Sequence, residues 1–144
     1  MKKKNKKKDK EPFTIAVIGP TYVGKSQMVN QFLFNEFRIE LSTMGSNIHE
    51  IEHFVKKEID TGVCRYFPLL FTGVNQLNGC MIVFSLSERS TFKQIPLYIE
   101  AVQNTFPDPV TIIIVGNCTY SKRKVSIEEA KEFIVINANI SKYL

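Results

Sequence analysis

Eight consecutive residues, Gly19-Pro20-Thr21-Tyr22-Val23-Gly24-Lys25-Ser26, match the spacing GxxxxGK[ST] at every fixed position. These residue types at this spacing are suited to holding phosphate. The two glycines let the backbone of Gly19, Thr21, Tyr22, Val23 and Gly24 turn its N–H groups inward around phosphate oxygens. The Lys25 ammonium reaches the terminal phosphates, and the Ser26 hydroxyl supplies a ligand to Mg²⁺. Such a loop works only between a strand and a helix, because the helix N-terminus adds positive partial charge where the phosphates lie. Both neighbours are expected. Phe13-Thr14-Ile15-Ala16-Val17-Ile18 is an apolar run long enough for a buried strand and too short for a helix. After the loop, Met28, Val29, Phe32, Leu33 and Phe37 recur at helical spacing on one broad face, predicting a helix that ends near Phe37.

Further elements alternate along the chain. Residues 79–85 read as a second buried strand, and Phe92, Ile95, Ile99, Val102 and Phe106 form an amphipathic helical stripe closed by Pro107 and Pro109. A third strand is expected at residues 110–115, leading into Gly116-Asn117. Ser126 and Glu129 have capping-box spacing for a short helix over 127–133, and residues 134–136 read as a last strand. Strands alternating with helices imply an α/β fold, a mostly parallel sheet covered on both faces.

Charge and cysteine content narrow the function classes. Residues 1–10 hold seven lysines and one acid, Asp9. Of 19 basic and 14 acidic side chains in the whole chain, 12 and 13 then remain for the body, which is nearly neutral. A basic surface for nucleic acid is not indicated, and residues 1–12 are expected to be a disordered basic tail ahead of a domain at 13–144. Near an anionic membrane each such lysine adds about 1 kcal/mol of attraction, so weak membrane contact is one role for the tail. Cys64, Cys80 and Cys118 lack CxxC spacing, which suits a reducing, cytoplasmic setting better than a disulfide framework. His49 and His53 are four apart with no third ligand nearby, and a strand or loop explains them.

From Phe13 almost to its end, the chain resembles a Ras-superfamily small GTPase, closest to the Rab branch. The phosphate loop carries most of the likeness. Ser42-Thr43-Met44-Gly45 is similar to the Rab switch I segment, whose threonine closes on Mg²⁺ and the γ-phosphate. Ile114-Val115-Gly116-Asn117 is similar to the strand entering the guanine-binding NKxD motif, and Ile136-Asn137-Ala138-Asn139 stands where the family has its SAK loop. The resemblance implies a three-layer P-loop domain, GTP or GDP with Mg²⁺ as ligands, and a protein effector or regulator as partner. It implies Asn117 and Ala138 at the nucleotide, with Ser26, Thr43 and Asp60 around the metal.

Several family features are altered. Where NKxD is expected the chain reads Asn117-Cys118-Thr119-Tyr120, without the lysine or the guanine-reading aspartate. A charge-assisted hydrogen bond contributes roughly 1.5–3 kcal/mol, so base affinity should fall by about one to two decades. The second switch admits two registers. In one, Asp60-Thr61-Gly62 is the remnant of the DTAGQ segment, and Asp60 holds the Mg²⁺ shell through water. In the other, residues 59–62 form a hairpin turn, Val63, Arg65, Phe67, Leu69 and Phe71 alternate as a strand, and Phe71-Thr72-Gly73 replaces the motif. Neither register retains the glutamine that orients attacking water, so very slow hydrolysis is expected. Only Ser141-Lys142-Tyr143-Leu144 follow the expected SAK position, so the family's final helix is expected to be missing, along with the cysteine used for prenylation. Leaving ~400–600 Å² of apolar surface bare forfeits on the order of 10 kcal/mol, so a partner is expected on that face.

Two functional readings follow. One is a guanine-nucleotide-binding switch for vesicle trafficking or signalling, with weak or absent hydrolysis. The other is a pseudo-GTPase interaction module that binds nucleotide weakly or not at all. A small kinase is disfavoured, because no arginine-rich lid segment is visible.

Overall fold

The computed structural model describes residues 13–37, 46–51, 54–59, 76–118, 121–136 and 142–143. Strand β1 (Phe13–Ile18) runs into the phosphate loop and helix α1 (Lys25–Phe34). Then come β2 (Ser46–Ile51), β3 (Phe54–Ile59), β4 (Gly79–Ser85), α2 (Arg89–Lys93), α3 (Ile95–Thr105), β5 (Thr111–Asn117), α4 (Ile127–Ile136) and β6 (Lys142–Tyr143). The six strands form one sheet in the order β2-β3-β1-β4-β5-β6. Every pairing is parallel except β2 with β3.

Alternation along the central strands divides their side chains between two unequal layers. Ala16 and Ile18 of β1, Cys80, Ile82 and Phe84 of β4, and Ile112 and Ile114 of β5 join Phe92, Ile95, Ile99, Val102 and Phe106 in the larger core. Phe84 packs on Phe92 with ring centroids 5.2 Å apart, and Phe92 meets Phe133 of α4 edge-on at 5.5 Å. On the other face Val17 and Val83 meet Val23 and Val29, with Met28, Met81 and Val115 packed alongside. This layer is thin. An open apolar cavity of about 740 Å³ lies between α1 and the sheet, bordered by Ile15, Val17, Met28, Phe32, Phe37 and Met81.

Polar groups at the strand ends set the register. Asn78, just before β4, accepts the Thr14 N–H on its Oδ1 at 2.8 Å and returns its own N–H to the Thr14 carbonyl at 3.0 Å. Its carbonyl accepts the Thr111 N–H at 3.3 Å, so one residue aligns the starts of β1, β4 and β5.

Several expectations are corrected. Helix α1 ends at Phe34, not near Phe37, because Asn35 takes a left-handed φ of 53° and its side chain accepts a hydrogen bond from Gln31 Nε2 at 2.8 Å. Phe32 and Phe37 therefore stand 72% and 64% exposed and do not share a buried face with Val29. The stripe from Phe92 to Phe106 is two helices broken at Gln94, since Pro96 fits the first turn of a helix but not its interior. Its end follows expectation: Phe106, preceding Pro107, is extended at φ −111°, ψ 121°. Residues 134–136 continue α4 where a strand is expected, and the strand beside β5 is Lys142–Tyr143. The hairpin β2–β3 is not anticipated by the sequence reading. Its antiparallel pairing runs from Ser46 opposite Ile59 to Ile51 opposite Phe54, and β3 runs parallel to β1 from Phe54 to Glu58. Both registers of the second switch fall on residues 60–75, which lie outside those described.

Among the described residues no helix is long and apolar enough to cross a membrane. Residues 1–12, for which a basic tail is expected, are not among them.

Two measurements test this packing. Phe84→Ala should lower the unfolding free energy by about 3–5 kcal/mol in urea denaturation. Phe32→Ser, on the exposed face, should change it by no more than about 0.5 kcal/mol. Desolvation by complete burial pushes the Cys80 thiol well above its ordinary range, whereas Cys118 is exposed. Native protein treated with iodoacetamide should therefore be modified at Cys118, and at Cys80 only after unfolding, as read by peptide mass mapping.

Candidate functional site

The site begins where β1 ends. Gly19 has φ 149°, and a Cβ there would lie 2.1 Å from the Val83 carbonyl oxygen, so only glycine lets the chain leave β1 while pressed against β4. Tyr22 and Gly24 also have positive φ, 61° and 91°, and these bends fold the loop back on itself. Lys25 closes it: its Nζ donates to the Pro20 carbonyl at 2.6 Å, and the residue is only 5% exposed. Val23 points inward into the small core, while Tyr22 is 81% exposed. Thr21 and Ser26 are half-buried, and Ser26 lies in the first turn of α1.

A second strand end holds the loop from the side. Asn117, the last residue of β5, donates from Nδ2 to the Val23 carbonyl at 2.8 Å. A Cβ on Gly24 would meet that same Nδ2 at 2.4 Å, so the glycine makes room for the latch. The Asn117 carbonyl accepts the Leu86 N–H at 2.9 Å, and the Leu86 carbonyl accepts the N–H groups of Lys124 at 2.8 Å and Val125 at 3.2 Å. Asn117, Lys124 and Val125 are thus all bonded to Leu86 in the turn after β4. Below that turn, Thr91 Oγ1 accepts the Ser85 N–H at 2.9 Å and donates to the Glu88 carbonyl at 2.6 Å.

Gly19, Thr21, Tyr22, Val23, Gly24, Lys25, Ser26 and Asn117 are brought together at one end of the sheet. Thr43 and Asp60, assigned to the metal, lie outside the described residues, although β3 ends at Ile59 in parallel pairing with β1. Ala138, assigned by likeness to the family's SAK loop, lies outside the described residues. His49 lies on β2 opposite Lys56, and His53 is not described. Among the described residues no group of three His, Cys, Asp or Glu side chains could hold a metal ion. Sequence reading misses Pro20 as the lysine's acceptor and Val83 as the backbone that excludes a side chain at 19. Neither carries a signal, since both act through main-chain oxygens.

The chemistry of these donors fits a nucleotide's phosphate groups. A buried ammonium, a loop bent by three positive φ angles and a helix N-terminus all converge. Fold and loop together define a P-loop nucleotide-binding domain of the α/β class. The Ras family model matches residues 14–143, and the chain belongs to that family. It is 36% identical over 131 residues to the Ras-related protein Rab11A of Lotus japonicus, which covers 84% of this chain and 58% of that protein. Rab11D of Nicotiana tabacum is 34% identical, covering 84% and 59%, and RABA4b of Arabidopsis thaliana 31% identical, covering 84% and 58%. The chain thus falls on the Rab branch and spans less than two thirds of the length of these curated relatives.

The loop geometry predicts unequal responses to substitution. Gly19→Ala should destabilise by about 3 kcal/mol or more, since backbone oxygen cannot yield as a side chain does. Tyr22→Gly should stay within about 1 kcal/mol of wild type, relieved left-handed strain offsetting added chain freedom. Thermal and urea unfolding of both variants measures the contrast.

Proposed function

We propose that this domain binds a guanine nucleotide with Mg²⁺ and serves as a Rab-type switch module in vesicle trafficking or signalling, with weak or absent hydrolysis. The observation that carries the reading is the closed phosphate loop, with Lys25 buried on the Pro20 carbonyl and Asn117 latched to Val23. In this reading the main-chain N–H groups of the loop and the Lys25 ammonium hold the phosphates. Ser26 and Thr43 ligate the metal, and Asp60 supports its shell. Mg²⁺ supplies neutralisation of phosphate charge. No residue is assigned to activating water, since the family's glutamine has no counterpart in either reading of the second switch.

Base recognition is the weaker half of the site. Exposed Cys118 follows Asn117 where the family pattern has lysine. This substitution favours the second reading, an interaction module that binds nucleotide weakly, and it makes guanine preference a matter of measurement. A protein effector or regulator is the expected partner, and the thin apolar layer over α1 offers such a partner surface. The lysines of residues 1–10 add attraction to anionic membranes.

Titration of the full chain with fluorescent GDP in Mg²⁺ tests the proposal. Saturable binding should weaken by about one to two decades in Lys25→Ala, the scale of losing a buried charge-assisted contact to phosphate. Unchanged binding in that variant would sink the phosphate-loop reading. Displacement by GTP at much lower concentration than ATP would support guanine recognition, and equal displacement would reduce the site to phosphate binding. A folded wild-type protein that binds none of these would move the function to the interaction module.

A further inference from the structure

Lys122-Arg123-Lys124-Val125-Ser126-Ile127 sets cations two, three and four places before a serine, with an apolar residue directly after it. Kinases choose their substrates by charge pattern, and those of the basophilic serine/threonine class read such cations with acidic grooves. The fold presents this run at the surface. Residues 121–124 are exposed and lie in neither helix nor strand, and Ser126 and Ile127 are exposed as well. Val125 alone is buried, so a kinase must draw it out, a local opening of the kind surface turns undergo. Other serines offer less. Ser85 and Ser87 are buried, and Ser90 and Ser121 have no cation two or three places before them.

The surroundings of Ser126 can also hold a phosphate once it is made. Ser126 Oγ accepts the Glu129 N–H at 3.1 Å and donates to nothing among the described residues. Modification therefore breaks no bond that the hydroxyl donates, and a phosphate oxygen can take over the bond from Glu129. Two guanidiniums flank the position. Arg123 Nε donates at 2.9 Å to the carbonyl of Val125, the residue just before the serine. Arg89, at the start of α2, donates from Nη2 to the Lys124 carbonyl at 3.1 Å and to Glu129 Oε2 at 3.0 Å, while Nη1 pairs with Glu129 Oε1. The Arg89 and Glu129 side chains are 48% and 33% exposed, so their pair contributes little by itself and can be exchanged. A phosphate brings about −1.5 to −2 charge and three acceptor oxygens, and it draws a planar fork more strongly than one carboxylate does.

We propose that Ser126 is a phosphorylation site for a basophilic serine/threonine kinase, and that its phosphate draws Arg89 onto itself, clamping the turn after β4 to the start of α4. In the transfer, Ser126 Oγ bonds to the γ-phosphorus of ATP as the bond from that phosphorus to the bridging oxygen breaks. ADP leaves with the electron pair, and the hydroxyl proton passes to the kinase's base. The site stands apart from the phosphate loop and does not depend on nucleotide binding by this chain.

The experiment treats the full chain with the catalytic subunit of cyclic-AMP-dependent protein kinase and Mg–ATP, beside a synthetic peptide of residues 121–131. Peptide mass mapping locates the phosphate. It should enter the folded chain at Ser126 and be lost in Ser126→Ala, and Arg123→Gln should slow it about tenfold, the scale of one charge-assisted contact. The phosphorylated chain should unfold about 2–5 °C higher than the unmodified one. Arg89→Ala should cancel that rise without slowing the modification. Glu129→Gln, which frees Arg89 from its carboxylate, should keep the rise, and it decides the matter where Arg89→Ala does not fold. Modification of the peptide but not of the folded chain, or a phosphate at another residue, would overturn the site. An unfolding midpoint that stays or falls on phosphorylation, a rise that survives in Arg89→Ala, or one lost in Glu129→Gln would overturn the clamp.

Discussion

The close approach of two backbones, Gly19 against the carbonyl of Val83, is the constraint from which the rest of the site follows. Where β1 leaves the sheet it crosses β4 with no room for a Cβ, 2.1 Å from that oxygen. The chain can then turn over the end of β4 rather than away from it. Two further left-handed positions bring Lys25 back to Pro20, and α1 starts with its N-terminus facing the enclosed space. Asn117 can reach Val23 only because parallel pairing of β1, β4 and β5 ends these strands on one edge, with Ser85 opposite Asn117. The cradle is thus a product of backbone packing, and its side chains act largely as struts.

The two faces of the sheet divide the labour unequally. The face under α2, α3 and α4 holds the large core, including the ring contacts from Phe84 through Phe92 to Phe133. That core supports the strand ends and the turn bearing Leu86 and Arg89. On the opposite face, beside α1, four valines are buried among the described residues, next to the open apolar cavity. Stability and surface chemistry are therefore separated: one layer holds the site rigid, and the other leaves apolar side chains exposed.

The first strand was legible to the residue, since an unbroken apolar run bounded by Pro12 and Gly19 admits little else. The strand at 79–85 was legible for the same reason, and the one expected at 110–115 runs from Thr111 to Asn117, both lying centrally in the sheet. Boundaries set by single backbone angles were not. Asn35 ends α1 by taking a left-handed φ, which the pattern of Phe32 and Phe37 conceals. Residues 134–136 were misread because a short β-branched run fits a strand or a helix end equally well. The hairpin of β2 and β3 was missed because His49, Glu50, Lys56, Lys57 and Glu58 give those strands little apolar signal.

By itself the sequence indicated the class of ligand chemistry, because glycines, lysine and serine in that order and spacing are the pattern of one particular phosphate-wrapping loop, set between a strand and a helix. It also determined where the family pattern is broken, at Cys118 and beyond, since those identities are read directly. Only the tertiary structure decided what holds the loop closed. Pro20, Val83 and Leu86 act through main-chain oxygens whose partners are set by folding, and Asn117 finds Val23 across a separation of 94 residues. The bond from Arg89 to Glu129, 40 residues away, has the same origin. Spacing along a chain specifies local turns, whereas a contact between strand ends exists only once parallel pairing has brought those ends to one edge.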